Sequence, residues 1–139
     1  MEGTSELRII KYKVNKTLFC LNEGFEFTND KINIEPSFSR EVNKIDKNRY
    51  VIKLGINISK ETNNNPIPFD AEVIISAIFE FSNWEEESNK KIAINNSTAI
   101  LFPYLRTLLA TITLNGNVPP YTIPVMNIAK MFDQKTDNE

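Results

Sequence analysis

The chain has 139 residues and a mass of 16.0 kDa, one domain's worth, and its 41% hydrophobic and 24% charged content excludes both wholesale disorder and a second independent core. A formal net charge of -2 leaves no cationic surplus to neutralise a run of phosphates, so nucleic acid is not an expected partner. With no histidine, Ser-His-Asp and Cys-His catalysis fall away together with every histidine-ligated metal site.

Cys20 alone makes neither an intramolecular disulfide nor a thiolate cage, which suits a reducing, cytoplasmic compartment. Met1 to Glu6 contains no basic stretch leading into an apolar segment, and no apolar run approaches about eighteen residues. Neither a signal peptide nor membrane insertion is expected. Charge is mildly asymmetric: residues 1–60 sum to +3 and residues 61–139 to -5.

In chain order, a strand is predicted around Leu7 to Leu21, where Ile10, Tyr12 and Val14 alternate with Lys11, Lys13 and Asn15. A second runs from about Ile32 to Val42. Pro36 interrupts it and, donating no ladder hydrogen bond, predicts a bulge or an edge position. Tyr50, Ile52, Leu54, Ile56 and Ile58 define a third strand, and Phe69, Ala71, Val73, Ile75, Ala77, Phe79 and Phe81 a fourth. The turn-forming segment Lys60 to Pro68 joins them as an antiparallel hairpin.

After a charged loop, Trp84 to Lys91, the period changes: Leu101, Leu105, Leu108 and Ile112 recur at helical spacing and predict a helix over about 98–115. Ser97 would cap its start, and Pro103 then implies a kink or a later beginning. Asn115-Gly116-Asn117 offers a left-handed cap and Pro119-Pro120 forbids continuation. A crossover over 116–124, a short helix over about 125–132 and a polar tail, 133–139, complete a single domain spanning 1–139. Strands followed by helices make this α+β, a four-stranded antiparallel sheet with two helices on one face. Val51, Ile74 and Ile78 lie out of phase with the apolar stripes, on the opposite face, and are the expected oligomer interface.

Catalytic chemistry finds little support. Asp70, Glu72 and Glu80 share a strand face and would serve acid/base work only if burial separated their pKa values; as residues alternating with the apolar stripe they read better as a solvated face. Glu85, Glu86 and Glu87 are consecutive and do not converge on one cation. The four glycines are too dispersed to cradle a phosphate, so no cofactor is implied. Cys20, between Phe19 and Leu21, reads as a buried, inert thiol. The surplus is aromatic and aliphatic, including Phe25, Phe27, Trp84, Tyr121 and Met131, beyond what any identified catalytic group needs.

Leu101-Phe102-Pro103-Tyr104-Leu105-Arg106, then Asn115-Gly116-Asn117, Pro119-Pro120, Pro124-Val125-Met126-Asn127 and Met131-Phe132, resembles the SecB family of protein-export chaperones, whose helix carries Leu-Phe-Pro-Tyr-Ala-Arg followed by Arg-Gly, a Phe-Pro crossover and Ala-Pro-Val-Asn-Phe. The strand ending Ala77-Ile78-Phe79 looks like that family's Gly-Ile-Phe strand. The resemblance implies an ATP-independent holdase, not an enzyme, assembled as a dimer of dimers, that keeps precursors unfolded for the translocation motor SecA. It places the client groove at Val118, Tyr121, Ile123, Val125, Met126, Met131 and Phe132. The family's motor-docking acidic residues lie on its first strand, where this chain has Lys16 and Cys20, which favours a variant dedicated to one partner, such as an antitoxin. Two readings from other classes stay open: a small-ligand protein or enzyme using a pocket between sheet and helices, and an oligomeric adaptor.

Overall fold

The computed structural model describes residues 7–27, 32–82, 87–119, 121–123 and 128–133. Four strands, β1 (Leu7–Leu21), β2 (Ser37–Lys44), β3 (Arg49–Ile58) and β4 (Phe69–Phe81), form an antiparallel sheet in the order β1-β4-β3-β2. Two helices follow, α1 (Glu87–Asn115) and α2 (Ile128–Asp133). The long alternating strands β3 and β4 pair in the centre as the expected hairpin, and β2 begins just after Pro36 at the sheet edge that proline permits.

One face of the sheet is a continuous apolar surface. Tyr50, Ile52, Leu54, Ile56 and Ile58 from β3 and Phe69, Ala71, Val73, Ile75, Ala77 and Phe79 from β4 are all buried, because alternate side chains point to the same side. Leu101, Phe102, Leu105 and Leu109 of α1 pack onto them. By length and composition Asn89–Asn115 is apolar enough to cross a membrane, yet this stripe is spent on covering the sheet.

β1 departs from simple alternation. Register shifts between Ile9 and Lys11 and between Val14 and Lys16 show two bulges. Ile9, not Ile10, therefore pairs opposite the buried Phe79, and Ile10 is left 44% exposed.

The helix begins eleven residues earlier than its sequence signals suggest. Ser97 is no cap but a fully buried interior residue, whose hydroxyl donates to the Ala93 carbonyl at 2.7 Å, and Thr98 does the same to Ile94. Such back-bonding lets hydroxyl residues sit inside a helix with their polar atoms satisfied. Lys90 and Lys91, expected in a loop, are likewise helical. Pro103 stays inside the helix because it and Ala99 lie on the exposed side, where water can take the carbonyl that proline leaves unbonded.

The C-terminus of α1 closes in a Schellman arrangement: Val118 N–H reaches the Thr113 carbonyl at 3.3 Å and Asn117 N–H that of Leu114 at 3.1 Å. Asn117, with φ of 64°, takes the left-handed position. Gly116 is needed for a different reason, since a Cβ there would meet ring atoms of Phe19 at 2.3 Å.

Candidate functional site

Contacts with several sheet residues fix how α1 lies on the sheet. Near its start, Asn95 and Thr98 accept hydrogen bonds from Arg40 on β2, and Ser97 meets the Tyr50 hydroxyl on β3 at 2.6 Å. Further along, Tyr104 stacks at a tilt on Tyr12 of β1, with ring centroids 4.7 Å apart, and Gly116 ends against Phe19 of β1. The helix thus crosses from the β2 side to the β1 edge. Midway, Phe102 meets the Phe38 ring of β2, with centroids 5.8 Å apart.

Further cover comes from residues 116–119, 121–123 and 128–133, of which α2 lies beside α1. Polar contacts hold several of these residues. Thr113 Oγ1 accepts the Tyr121 N–H at 2.9 Å, Arg106 Nε donates to the Ile123 carbonyl at 3.2 Å, and the Arg40 guanidinium lies 4.5 Å from the centre of the Phe132 ring. Between these tethers the apolar side chains turn inward. Val118, Ile123 and Phe132 are 6%, 1% and 1% exposed and join the core cluster. Tyr121 and Met131 are half-buried against it, and burial raises the Tyr121 phenol above its ordinary pKa. Five of the seven residues expected to line a groove therefore lie along one strap, three of them sealed by the chain's own fold. Val125 and Met126 lie outside the described residues.

Sequence reasoning missed Arg40 and Thr113. Neither stood out, because an arginine in an edge strand and a threonine in a helix read as surface residues; only the fold makes them tethers.

The expected oligomer residues Val51, Ile74 and Ile78 sit half-buried in the middle of the opposite, outer face of the sheet. More exposed apolar surface lies elsewhere. Ile10, Val14, Leu18 and Leu21 of the edge strand β1 are exposed, as are Ile92, Ile100, Tyr104 and Leu114 of α1. From Ile92 to Asn115 the helix carries a single charged residue, Arg106.

The carboxylates considered for acid/base chemistry are engaged otherwise. Glu80 pairs with Arg8 at 2.5 Å and Glu72 with Lys16 at 2.7 Å, while Asp70 accepts from Asn22 and from the Lys60 backbone. None of the three lines the shallow cavity of about 220 Å³ between Asn22–Phe25 and Lys60, Pro66 and Ile67. Of the acidic run, Glu85 and Glu86 are outside the described residues and Glu87 opens α1. Cys20 is exposed, contrary to its apolar neighbours: it lies opposite Asp70 on the outer face of the edge strand, turned away from α1.

Comparison with known proteins agrees with this architecture. The chain is 34% identical over 130 residues to the uncharacterized protein MJ0357 of Methanocaldococcus jannaschii, covering 91% of this chain and 82% of that one. It is 29% identical over 122 residues to the protein-export protein SecB of Orientia tsutsugamushi strain Ikeda, covering 86% and 73%. Among solved structures, the Mycobacterium tuberculosis Rv1957 SecB-like chaperone, in complex with a ChAD peptide from the Rv1956 HigA1 antitoxin, shares the fold, with a TM-score of 0.64, 17% identity and coverage of 87% and 88%. Residues 21–139 match the family described as preprotein translocase subunit SecB, and the chain belongs to that SecB family of chaperones.

Proposed function

We propose that the chain is an ATP-independent holdase that keeps unfolded polypeptides from aggregating, with Val118, Tyr121, Ile123, Val125, Met126, Met131 and Phe132 as its client-binding residues. The observation that carries the reading is the strap itself: Val118, Ile123 and Phe132 packed into the core cluster and held beside it by contacts from Thr113, Arg106 and Arg40. A client's apolar residues replace Val118, Ile123 and Phe132 in the core cluster when the strap lifts, so their burial in the free chain is the closed state of the groove. Binding only the unfolded form shifts a client's equilibrium by mass action and needs no catalytic group.

Assembly as a cytoplasmic homotetramer, a dimer of dimers, accompanies this reading. Its support is the exposed apolar edge of β1, whose unpaired backbone is a template for another strand, and the nearly uncharged outward side of α1. Both exceed the outer-face residues Val51, Ile74 and Ile78 in exposed apolar surface. Several grooves on one particle add weak contacts into avidity.

Suppression of aggregation of chemically unfolded clients, mixed at a stoichiometric ratio without ATP, tests the holdase reading. Protection of several clients is expected, and protection of none overturns it. A second reading, a chaperone dedicated to one partner such as an antitoxin, is favoured by Lys16 and Cys20 on β1 and by the antitoxin peptide in the Rv1957 complex. Titration against SecA separates the two, tight binding removing the motive for the dedicated variant.

A further inference from the structure

We propose that Asn115-Gly116, at the joint between α1 and the strap, is a site of spontaneous covalent modification, deamidation through a cyclic imide, and that the closed strap holds it in check. Gly3 follows Glu2, Gly24 follows Glu23 and Gly55 follows Leu54, so Gly116 alone among the glycines follows an asparagine. With no Cβ on Gly116 to shield it, its backbone nitrogen reaches the preceding side-chain amide more easily than the nitrogen after any other asparagine of the chain.

The step needs only water and the chain itself. The Gly116 nitrogen gives up its proton and attacks Asn115 Cγ; the new N–Cγ bond closes a succinimide as the Cγ–Nδ2 bond breaks, and the amide group leaves with a proton as ammonia. Water then opens the imide. Opening at Cγ gives aspartate, whereas opening at the Asn115 main-chain carbonyl leaves the chain running through Cγ, as isoaspartate.

The helix cap opposes this chemistry. Gly116 N–H is shared between the Ile112 carbonyl at 3.0 Å and the Thr113 carbonyl at 3.1 Å, so the attacking nitrogen faces back along the helix and keeps its proton. Asn117 and Val118 N–H bond in turn to Leu114 and Thr113, which stops the following peptide planes from turning. The target is not shielded, since Asn115 is exposed. Opening of the cap therefore sets the rate, and the cap is continuous with the strap through Thr113, which holds Val118 by its carbonyl and Tyr121 by its hydroxyl.

Neither product fits the closed joint. The last turn of α1 has no basic residue, so a carboxylate at position 115 meets the negative end of the helix dipole unneutralised. Isoaspartate adds a methylene to the main chain beside Gly116, where the Phe19 ring already leaves no room for a Cβ. A strap that opens often is modified, and once modified it closes less well.

The test follows the full chain at mildly alkaline pH by peptide mapping and mass spectrometry, folded and in concentrated urea. In urea, Asn115 should deamidate ahead of every other asparagine, and folding should slow it about tenfold or more. Thr113→Val, which cuts the Tyr121 tether, and Arg106→Leu, which cuts the one at Ile123, should each speed the folded chain about three- to fivefold, the factor for losing one hydrogen bond. In the purified deamidated chain, amide exchange at Val118 and Tyr121 should quicken while that in β3 and β4 holds. Equal rates folded and in urea, another asparagine ahead of Asn115 in urea, an unchanged rate in the folded variants, or unchanged exchange at Val118 overturns the proposal. No client enters these measurements, so their outcome is separate from that of the holdase reading.

Discussion

The helix α1 and the strap that follows it cover the same sheet face, yet they are held by different forces. Along α1, side chains with essentially no exposure, such as Leu101, Leu105 and Leu109, supply a broad apolar contact whose removal takes the core with it. Among the described residues the strap buries fewer side chains; its backbone is attached at Thr113 and Arg106, and the Arg40 guanidinium lies over its Phe132 ring. A region fastened by a few polar contacts opens at lower cost than one fastened by area. On the proposed holdase reading, this difference lets one chain keep a stable sheet and still offer apolar surface to another.

The comparison breaks most visibly at α1. Leu105→Ala should cost roughly 2–5 kcal/mol of unfolding free energy, the range for deleting a fully buried leucine side chain, read by urea denaturation. A loss below about 1 kcal/mol would mean that α1 is held no more firmly than the strap. Next comes the joint between the two regions. Gly116→Ala drives a methyl into the Phe19 ring and should cost about 1–3 kcal/mol, with much of that recovered by adding Phe19→Leu. Equal losses with and without the second substitution would place the strain elsewhere.

Loosening the strap at Thr113 should barely disturb the core. Thr113→Val removes the acceptor of the half-buried Tyr121 N–H and is expected to cost about 1 kcal/mol, with faster amide exchange at Tyr121 but not in β3 or β4. Arg40→Met takes away the cation over Phe132 and also the hydrogen bonds to Asn95 and Thr98 that hold the start of α1, so its melt should fall as well. If clients bind by displacing the strap, this variant should hold an unfolded peptide roughly two- to fivefold more tightly, because less closed state has to be opened. Weaker peptide binding by the folded variant would instead make Arg40 part of the groove.

How much of this could be read beforehand depends on which force acts. The hairpin of β3 and β4 was legible because burial on one face imposes strict alternation from Tyr50 to Ile58 and from Phe69 to Phe81. The first turns of α1 were hidden, since Asn95, Asn96, Ser97 and Thr98 look like loop and cap residues until Tyr50 and Arg40 arrive from the sheet to bond Ser97, Asn95 and Thr98. Bulges in β1 were equally silent: nothing in Ile9-Ile10-Lys11 says which isoleucine faces Phe79. At the candidate site the motif located the strap, but the inward turn of Val118, Ile123 and Phe132 depends on tethers distant in sequence.

The smallest effect is specific to alkaline pH and reports on the firmly held region alone. Tyr50 is fully buried with its hydroxyl against Ser97, and burial pushes its pKa up to about 12, the Ser97 hydrogen bond pulling slightly the other way. An unfolded tyrosine ionises near 10. The folded state therefore holds the phenolic proton more tightly, and the stability this contributes is fully present below about pH 10 and lost as pH rises through about 12. Tyr50→Phe removes this loss and leaves no orphan, because Ser97 still donates to the Ala93 carbonyl. The variant should melt slightly below the parent near neutrality, and the gap should shrink between pH 10 and 12. Because Tyr12 and Tyr121 titrate alike in both proteins, the difference isolates Tyr50. Parallel melting curves across that window would mean that water reaches the Tyr50 hydroxyl, and that α1 lifts from the sheet as readily as the strap does.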